Sequence, residues 1–139
     1  MNQNEKELLL KDLCSRLPYG VKANEDIQGD FTLVGLTKER VFTTSEEEGY
    51  YNDFPIELIK PYLFPLSSMT EAQQEEFDRI YADDMQVVAN NLKNRLDGKP
   101  YETNLGHYRH IDWLNANHFD YRGLIPKGLA IDATGLNIY

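Results

Sequence analysis

The sequence predicts an α+β fold: an N-terminal helix, a small antiparallel β-meander, a long amphipathic helix and a short aromatic C-terminal helix. Three observations carry this reading. Leu9, Leu10, Leu13 and Leu17 recur at helical spacing. Between residues 21 and 44, β-branched and aromatic residues alternate with turn-forming triplets. Beyond residue 70 the helical period returns, and Phe77, Tyr81, Met85, Val88, Leu92 and Leu96 step by four, four, three, four and four. At 139 residues the chain is expected to form a single domain over 1–139.

Each element has local signals. Asn4 and Glu7 have the spacing of a capping box for the first helix. Leu17-Pro18-Tyr19-Gly20 ends it, because proline disfavours helical backbone in the residue before it. Strands are expected at 21–25, 31–36 and 40–44, with turns at Gln28-Gly29-Asp30 and Thr37-Lys38-Glu39. Ser45 to Gly49 is expected as an exposed connection, and Asn52-Asp53 as a turn. Residues 56–59 fit a strand or one helical turn. Lys60 to Leu66 holds two prolines four apart, which predicts an extended edge strand or connector. Thr70 with Gln73 caps the long helix and Gly98 stops it. A shorter helix is expected from about Tyr108 to Asn117, and Pro126-Lys127-Gly128 as a tight turn.

Composition narrows the function. Fourteen bases against 23 acids give a net charge of −9, which disfavours nonspecific contact with nucleic-acid backbones or anionic membranes. The leucine run at 8–10 is far too short to span a membrane. The single cysteine excludes an internal disulfide and points to a reducing, cytoplasmic setting. Cys14, beside leucines in a helical pattern, is expected as a small buried hydrophobe.

The densest chemistry lies between His107 and Leu124. This stretch holds all three histidines, His107, His110 and His118, and the only tryptophan, Trp113. With Asp112, the histidines are the candidate catalytic residues. On an unbroken helix His107 and His110 lie about 60° apart, but His118 falls about 12 Å further along the axis than His110. Three zinc ligands must converge on one point, so no metal site is expected. No nucleophile elbow, phosphate loop or dinucleotide fingerprint occurs, and no cofactor is expected. Ser67 and Ser68 offer hydroxyls before the long helix, where capping accounts for Thr70.

Arg109, Trp113, Tyr121 and Arg122 are the candidates for a nucleic-acid stacking patch, yet their surroundings lack a basic stripe. Acidic mimicry of nucleic acid is a further alternative. Six acids and one base between Glu71 and Asp84 give −5, about one charge per 4 Å of helix, against one per about 1.7 Å in duplex DNA. Protein recognition fits the aromatic middle best. Tyr50, Tyr51, Phe54, Tyr62 and Phe64 stand among acids and are typical interface material. Trp113, Tyr121 and Arg122 join them as candidate binding residues.

Three segments carry a resemblance: residues 10–21 (Leu10-Lys11-Asp12-Leu13 through Pro18-Tyr19-Gly20-Val21), residues 59–70 (Ile59-Lys60-Pro61-Tyr62-Leu63-Phe64-Pro65 through Thr70) and residues 112–125 (Asp112-Trp113-Leu114-Asn115 through Tyr121-Arg122-Gly123-Leu124-Ile125). Their sequence and order resemble a group of small proteins from Bacteroides-type gut bacteria and their phage-like and mobile elements. The resemblance implies a cytoplasmic, phage-associated setting. The group has no established activity, so it implies no catalytic residue. Pro126 departs from the group, where a helix-forming acid stands. The expected function is a non-enzymatic accessory or protein-interaction protein. The alternatives are a metal-dependent or hydrolytic enzyme centred on residues 107–118, and an acidic nucleic-acid mimic.

Overall fold

The structure, a computed structural model, describes residues 1–44, 51–100 and 108–139. It is α+β, and two compact units divide it: residues Met1–Ser68 with Asn115–Tyr139, and residues Met69–Leu114.

In the first unit, helix α1 runs Gln3–Arg16. Its capping box uses Asn2 and Glu5, two residues before the expected pair. Both pairs have the same spacing. With the earlier pair in use, Glu7 accepts the Gln3 side-chain amide across one turn, at 3.0 Å. The buried face of α1 is Leu9, Asp12, Leu13 and Arg16. Cys14 lies off that face and is exposed, contrary to the expectation of burial. One 3-10 turn, Leu17–Tyr19, and Gly20 at φ +66° end the helix.

Strands β1 (Lys22–Glu25), β2 (Gly29–Leu36), β3 (Arg40–Thr44) and β4 (Tyr51–Pro55) form the antiparallel meander. The Glu25 carboxylate accepts from the Ile27 and Gln28 N–H groups and shapes the first turn. Thr37 does the same at the second with Arg40. Asn52 and Asp53 belong to β4 instead of a turn. Their neighbours across the ladder are Thr43 and Phe42, and Asp53 pairs with Arg40. Residues 56–58 take the helical alternative, one 3-10 turn.

Strand β5 (Ile59–Pro65) lies inside the sheet, not at its edge. Its neighbours each engage only a short piece of it. β1 meets Ile59 to Pro61, β7 (Ile131–Asp132) meets Tyr62 and Leu63, and β6 (Phe119–Asp120) meets Phe64 and Pro65. Each proline therefore ends a ladder, where the missing N–H interrupts nothing. The order is β4-β3-β2-β1-β5-β6, with β7 also on β5. Leu9 and Leu13 of α1 join Val21, Leu33, Ile59 and Leu63 in the core. Burying each leucine contributes about 1.5–3 kcal/mol. Phe31 and Phe54 pack at 5.3 Å on this inner side.

Asp12 and Arg16 are both wholly buried, one turn apart on α1. The guanidinium donates to both carboxylate oxygens, at 2.7 and 3.1 Å, and to the Phe119 carbonyl at 2.7 Å. Arg122 adds a second cation, bonding Asp12 at 3.1 Å and the Ser15 hydroxyl at 3.2 Å. The Tyr121 ring lies under both guanidiniums, 5.3 Å from Arg16 and 4.7 Å from Arg122.

In the second unit, helix α2 (Glu71–Leu96) is capped by Thr70 and Gln73 as the sequence predicts. Helix α3 begins at Arg109 and runs to Ala116, crossing the division after Leu114. The side of α2 turned inward is not the expected apolar stripe. Its buried residues are Asp84 and Asn91, on a face that also carries the part-buried Phe77, Ile80, Val87 and Asn94. These six step by three, four, three, four and three. Tyr81, Val88, Leu92 and Leu96 are exposed. Asp84 decides the rotation. It bonds His110 at the start of α3, and Phe77 packs 5.8 Å from Trp113.

Breaking the Asp12–Arg16 pair from one side leaves a buried charge short of its partner. Arg16→Met is expected to lower stability by about 3–5 kcal/mol, and Asp12→Leu with Arg16→Met to recover most of that loss. Urea unfolding followed by far-UV circular dichroism measures both. A loss under about 1 kcal/mol for the single variant would show that the pair does not hold α1 in place.

Candidate functional site

The His107–Leu124 stretch divides into two local arrangements. His107 lies outside the described residues, as do Tyr50 and the acids Glu46 to Glu48. Acidic mimicry would also need Glu46–Glu48 on one face with Glu71–Asp84, and Glu46–Glu48 lie outside the described residues.

In the Met69–Leu114 unit, Asp84 Oδ2 accepts from the His110 backbone N–H at 2.8 Å and lies 2.6 Å from Nδ1. One oxygen thus caps the first turn of α3 from another helix, in place of a local N-cap side chain. It also fixes the imidazole. Burial pushes the Asp84 carboxyl up, but the His110 backbone N–H and ring outweigh it and hold the group below the usual carboxylate range. Tyr81, Tyr108 and Phe77 enclose the imidazole edge-on at 5.0, 5.7 and 6.1 Å. Arg109 is exposed and Asp112 part-buried on α3. Among the described residues, no group of three His, Cys, Asp or Glu side chains could hold a metal ion. An aspartate-oriented imidazole can accept or donate a proton at its far nitrogen. In this setting it joins two helices.

His118 belongs to the other unit. It follows α3 with φ +62°, and its N–H bonds the Asn115 carbonyl at 3.1 Å. That is the left-handed helix-ending position glycine or asparagine usually takes. The helical ruler used on the sequence therefore stops before His118. Its carbonyl accepts from Phe64 N at 2.8 Å, and its ring stacks on Tyr139 at 3.6 Å and 10°. The Tyr139 hydroxyl donates to the Tyr62 carbonyl at 2.8 Å and accepts from Lys22 N at 2.9 Å. Burial pushes the His118 imidazole down to about 4, with Arg16 and Lys22 adding to the shift. Nδ1 is buried with no hydrogen-bond partner among the described residues, which agrees with a neutral ring.

The candidate binding residues separate by burial. Arg122 and Tyr121 serve the Asp12–Arg16 cluster, and the Tyr121 hydroxyl bonds Asn115 at 3.0 Å. Trp113 packs on Phe77. Tyr62 is buried, and burial with a 2.7 Å bond to Asp30 pushes its phenol up to about 12. Tyr51 alone of the described tyrosine candidates stands clear, 75% exposed on β4. Phe42 and Val34 share the outward side of the meander with it, 39% and 44% exposed. The Phe42 ring lies over Gly35, where a Cβ would sit 3.7 Å from its own. Sequence reading singled out neither Phe42 nor Val34. Simple alternation does not mark them, because the ladder shifts register between Leu33 and Gly35 and the outward positions also include Thr32, Arg40 and Thr44.

Two expectations follow. Asp84→Asn weakens the cap and the His110 bond, loosening α3 by about 1–3 kcal/mol and red-shifting Trp113 emission. Unchanged emission and stability would leave Asp84 without that role. His118 is neutral when folded and protonates below about pH 6.5 when unfolded. The unfolded state thus binds more protons between that pH and about 4. Stability should be full above pH 6.5, fall as pH drops through this window, and fall less steeply in His118→Asn. Equal slopes in both proteins would contradict a buried neutral imidazole.

In comparisons with known proteins, no family model matches the chain, and no curated protein or solved structure matches it.

Proposed function

We propose that this protein is a non-enzymatic, cytoplasmic interaction protein of a phage-like or mobile element. Its partner is another protein, bound at the outward side of the meander. The observation that supports this reading is the row of Val34, Phe42 and Tyr51, which leaves apolar side chains in solvent on a rigid sheet. Such a patch on a folded surface is interface material. The terminal strand of the sheet order, β4, runs beside it. An extended segment laid along β4 would gain main-chain hydrogen bonds, with Tyr51 and Phe42 supplying side-chain contact. The Arg40–Asp53 pair crosses the same side and gives it polar register. No helix of the described residues is long and apolar enough to cross a membrane.

The enzymatic alternative retains one geometric element, the Asp84–His110 pair. Its enclosure by three aromatic rings favours a structural role. The phage-like setting rests on the sequence resemblance alone.

A photo-crosslinking residue placed at Val34 is expected to capture one specific protein in native cells, and Phe42→Ser with Tyr51→Ser to weaken that capture at least tenfold. Circular dichroism should not change. Capture that persists in the double variant, or no specific capture, would remove this surface from the reading.

A further inference from the structure

We propose that α2 pairs antiparallel with α2 of a second copy of this chain through the stripe Tyr81, Met85, Val88, Ala89, Leu92 and Leu96. Apart from Tyr81, whose ring also meets His110 at 5.0 Å, the stripe is separate from the side of α2 that holds Asp84 and Asn91. Taking about 100° per residue, it spans an arc of about 100°, centred roughly 110° from that side. Leu92 is 59% exposed and Leu96 is 79% exposed, with Val88 and Tyr81 also open. Four large apolar side chains at helical spacing form a continuous strip about 22 Å long. A strip of that kind is the seam of a helix pair.

Two features select a second copy in antiparallel register. Positions equidistant from the Val88–Ala89 peptide are matched in kind: Tyr81 faces Leu96, Met85 faces Leu92, and Val88 faces Ala89. The stripe is therefore complementary to itself about a two-fold axis, as a symmetric dimer requires. Charge points the same way. The segment Glu71 to Asp84 carries six acids and one base, while the rest of α2 carries Lys93 and Arg95. In this antiparallel register Lys93 and Arg95 come level with positions 84 and 82 of the other copy, at the end of its acidic segment, and the two helix dipoles are opposed favourably. Parallel pairing would set the acidic turns side by side. A strip this size buries on the order of 400 Å² per copy, below a standard interface, so the dimer is expected to be weak and in the micromolar range.

The inference is independent of the sheet surface proposed above, and Phe42→Ser with Tyr51→Ser should leave the dimer unchanged. Sedimentation velocity on the full chain from about 5 to about 500 µM should show a reversible monomer–dimer equilibrium. Leu92→Glu should weaken it at least tenfold with unchanged circular dichroism. Leu96→Gln, at a more exposed position, should weaken it if Leu92→Glu disturbs folding. In a Cys14→Ser background, Ala89→Cys should link to itself through a short thiol crosslinker, and Leu96→Cys should not. A monomer at every concentration, a dimer indifferent to both substitutions, or linkage at Leu96→Cys equal to that at Ala89→Cys would each overturn the proposal.

Discussion

A carboxylate and a guanidinium without solvent, Asp12 and Arg16, set the terms for the rest of the sheet unit. Moving each ion out of water costs several kcal/mol, so the surroundings must supply its hydrogen bonds. Arg16 takes the Phe119 carbonyl, and Asp12 takes Arg122. The helix at the start of the chain thereby dictates where residues 119–122 run, and with them where β6 meets β5. The Tyr121 ring under both cations and Asp120, whose carboxylate collects the Leu124 and Ile125 N–H groups at 2.9 Å, complete the same arrangement. Phe119, Tyr121 and Arg122 of the most chemically suggestive stretch in the sequence are thus engaged around one buried ion pair.

What the sequence disclosed depended on the range of the interaction. Features fixed within four residues were legible: the meander turn at Thr37-Lys38-Glu39, the Thr70–Gln73 cap and the helix stop at Pro18, while the turn expected at Gln28-Gly29-Asp30 lies two residues earlier, with Gly29 and Asp30 already paired in β2. The first cap was legible in kind but ambiguous in register, because two Asn/Glu pairs share one spacing. Features set by distant partners were not. Cys14 sits among leucines yet faces out, since only the 9-12-13-16 face meets the sheet. Prolines in 59–65 were read as an edge because nothing local shows that three partners divide the strand among them. Asp84 was one acid among many until His110, 26 positions on, selected it.

The helix α2 shows why period alone does not assign a face. Its apolar residues and its buried residues follow neighbouring but different lines. A single bifurcated carboxylate oxygen, held by a backbone N–H and an imidazole, turns a half-polar line inward and leaves leucines outside. Hydrophobic burial is large but indifferent to small rotations, whereas hydrogen bonds at 2.6 and 2.8 Å are not. The sheet makes the opposite compromise. There the inner side is mostly apolar, with Thr43 and Glu25 as buried exceptions, and the outer side keeps Val34, Phe42 and Tyr51 among polar neighbours.

One further consequence comes from the order of the chain. The sheet unit is discontinuous, with Met69–Leu114 placed between β5 and the strands that flank it, β6 and β7. During synthesis the ribosome releases α1 and the first five strands well before Phe119 emerges. Until then Arg16 has no Phe119 carbonyl to bond, and the far half of β5 has no neighbour. The entropy of closing that long loop grows only slowly with its length, so the inserted stretch can lengthen, shrink or be replaced at small energetic expense. The vulnerable interval is kinetic: a nascent sheet waits with an unfinished strand and an unsatisfied cation until the last residues of the unit arrive.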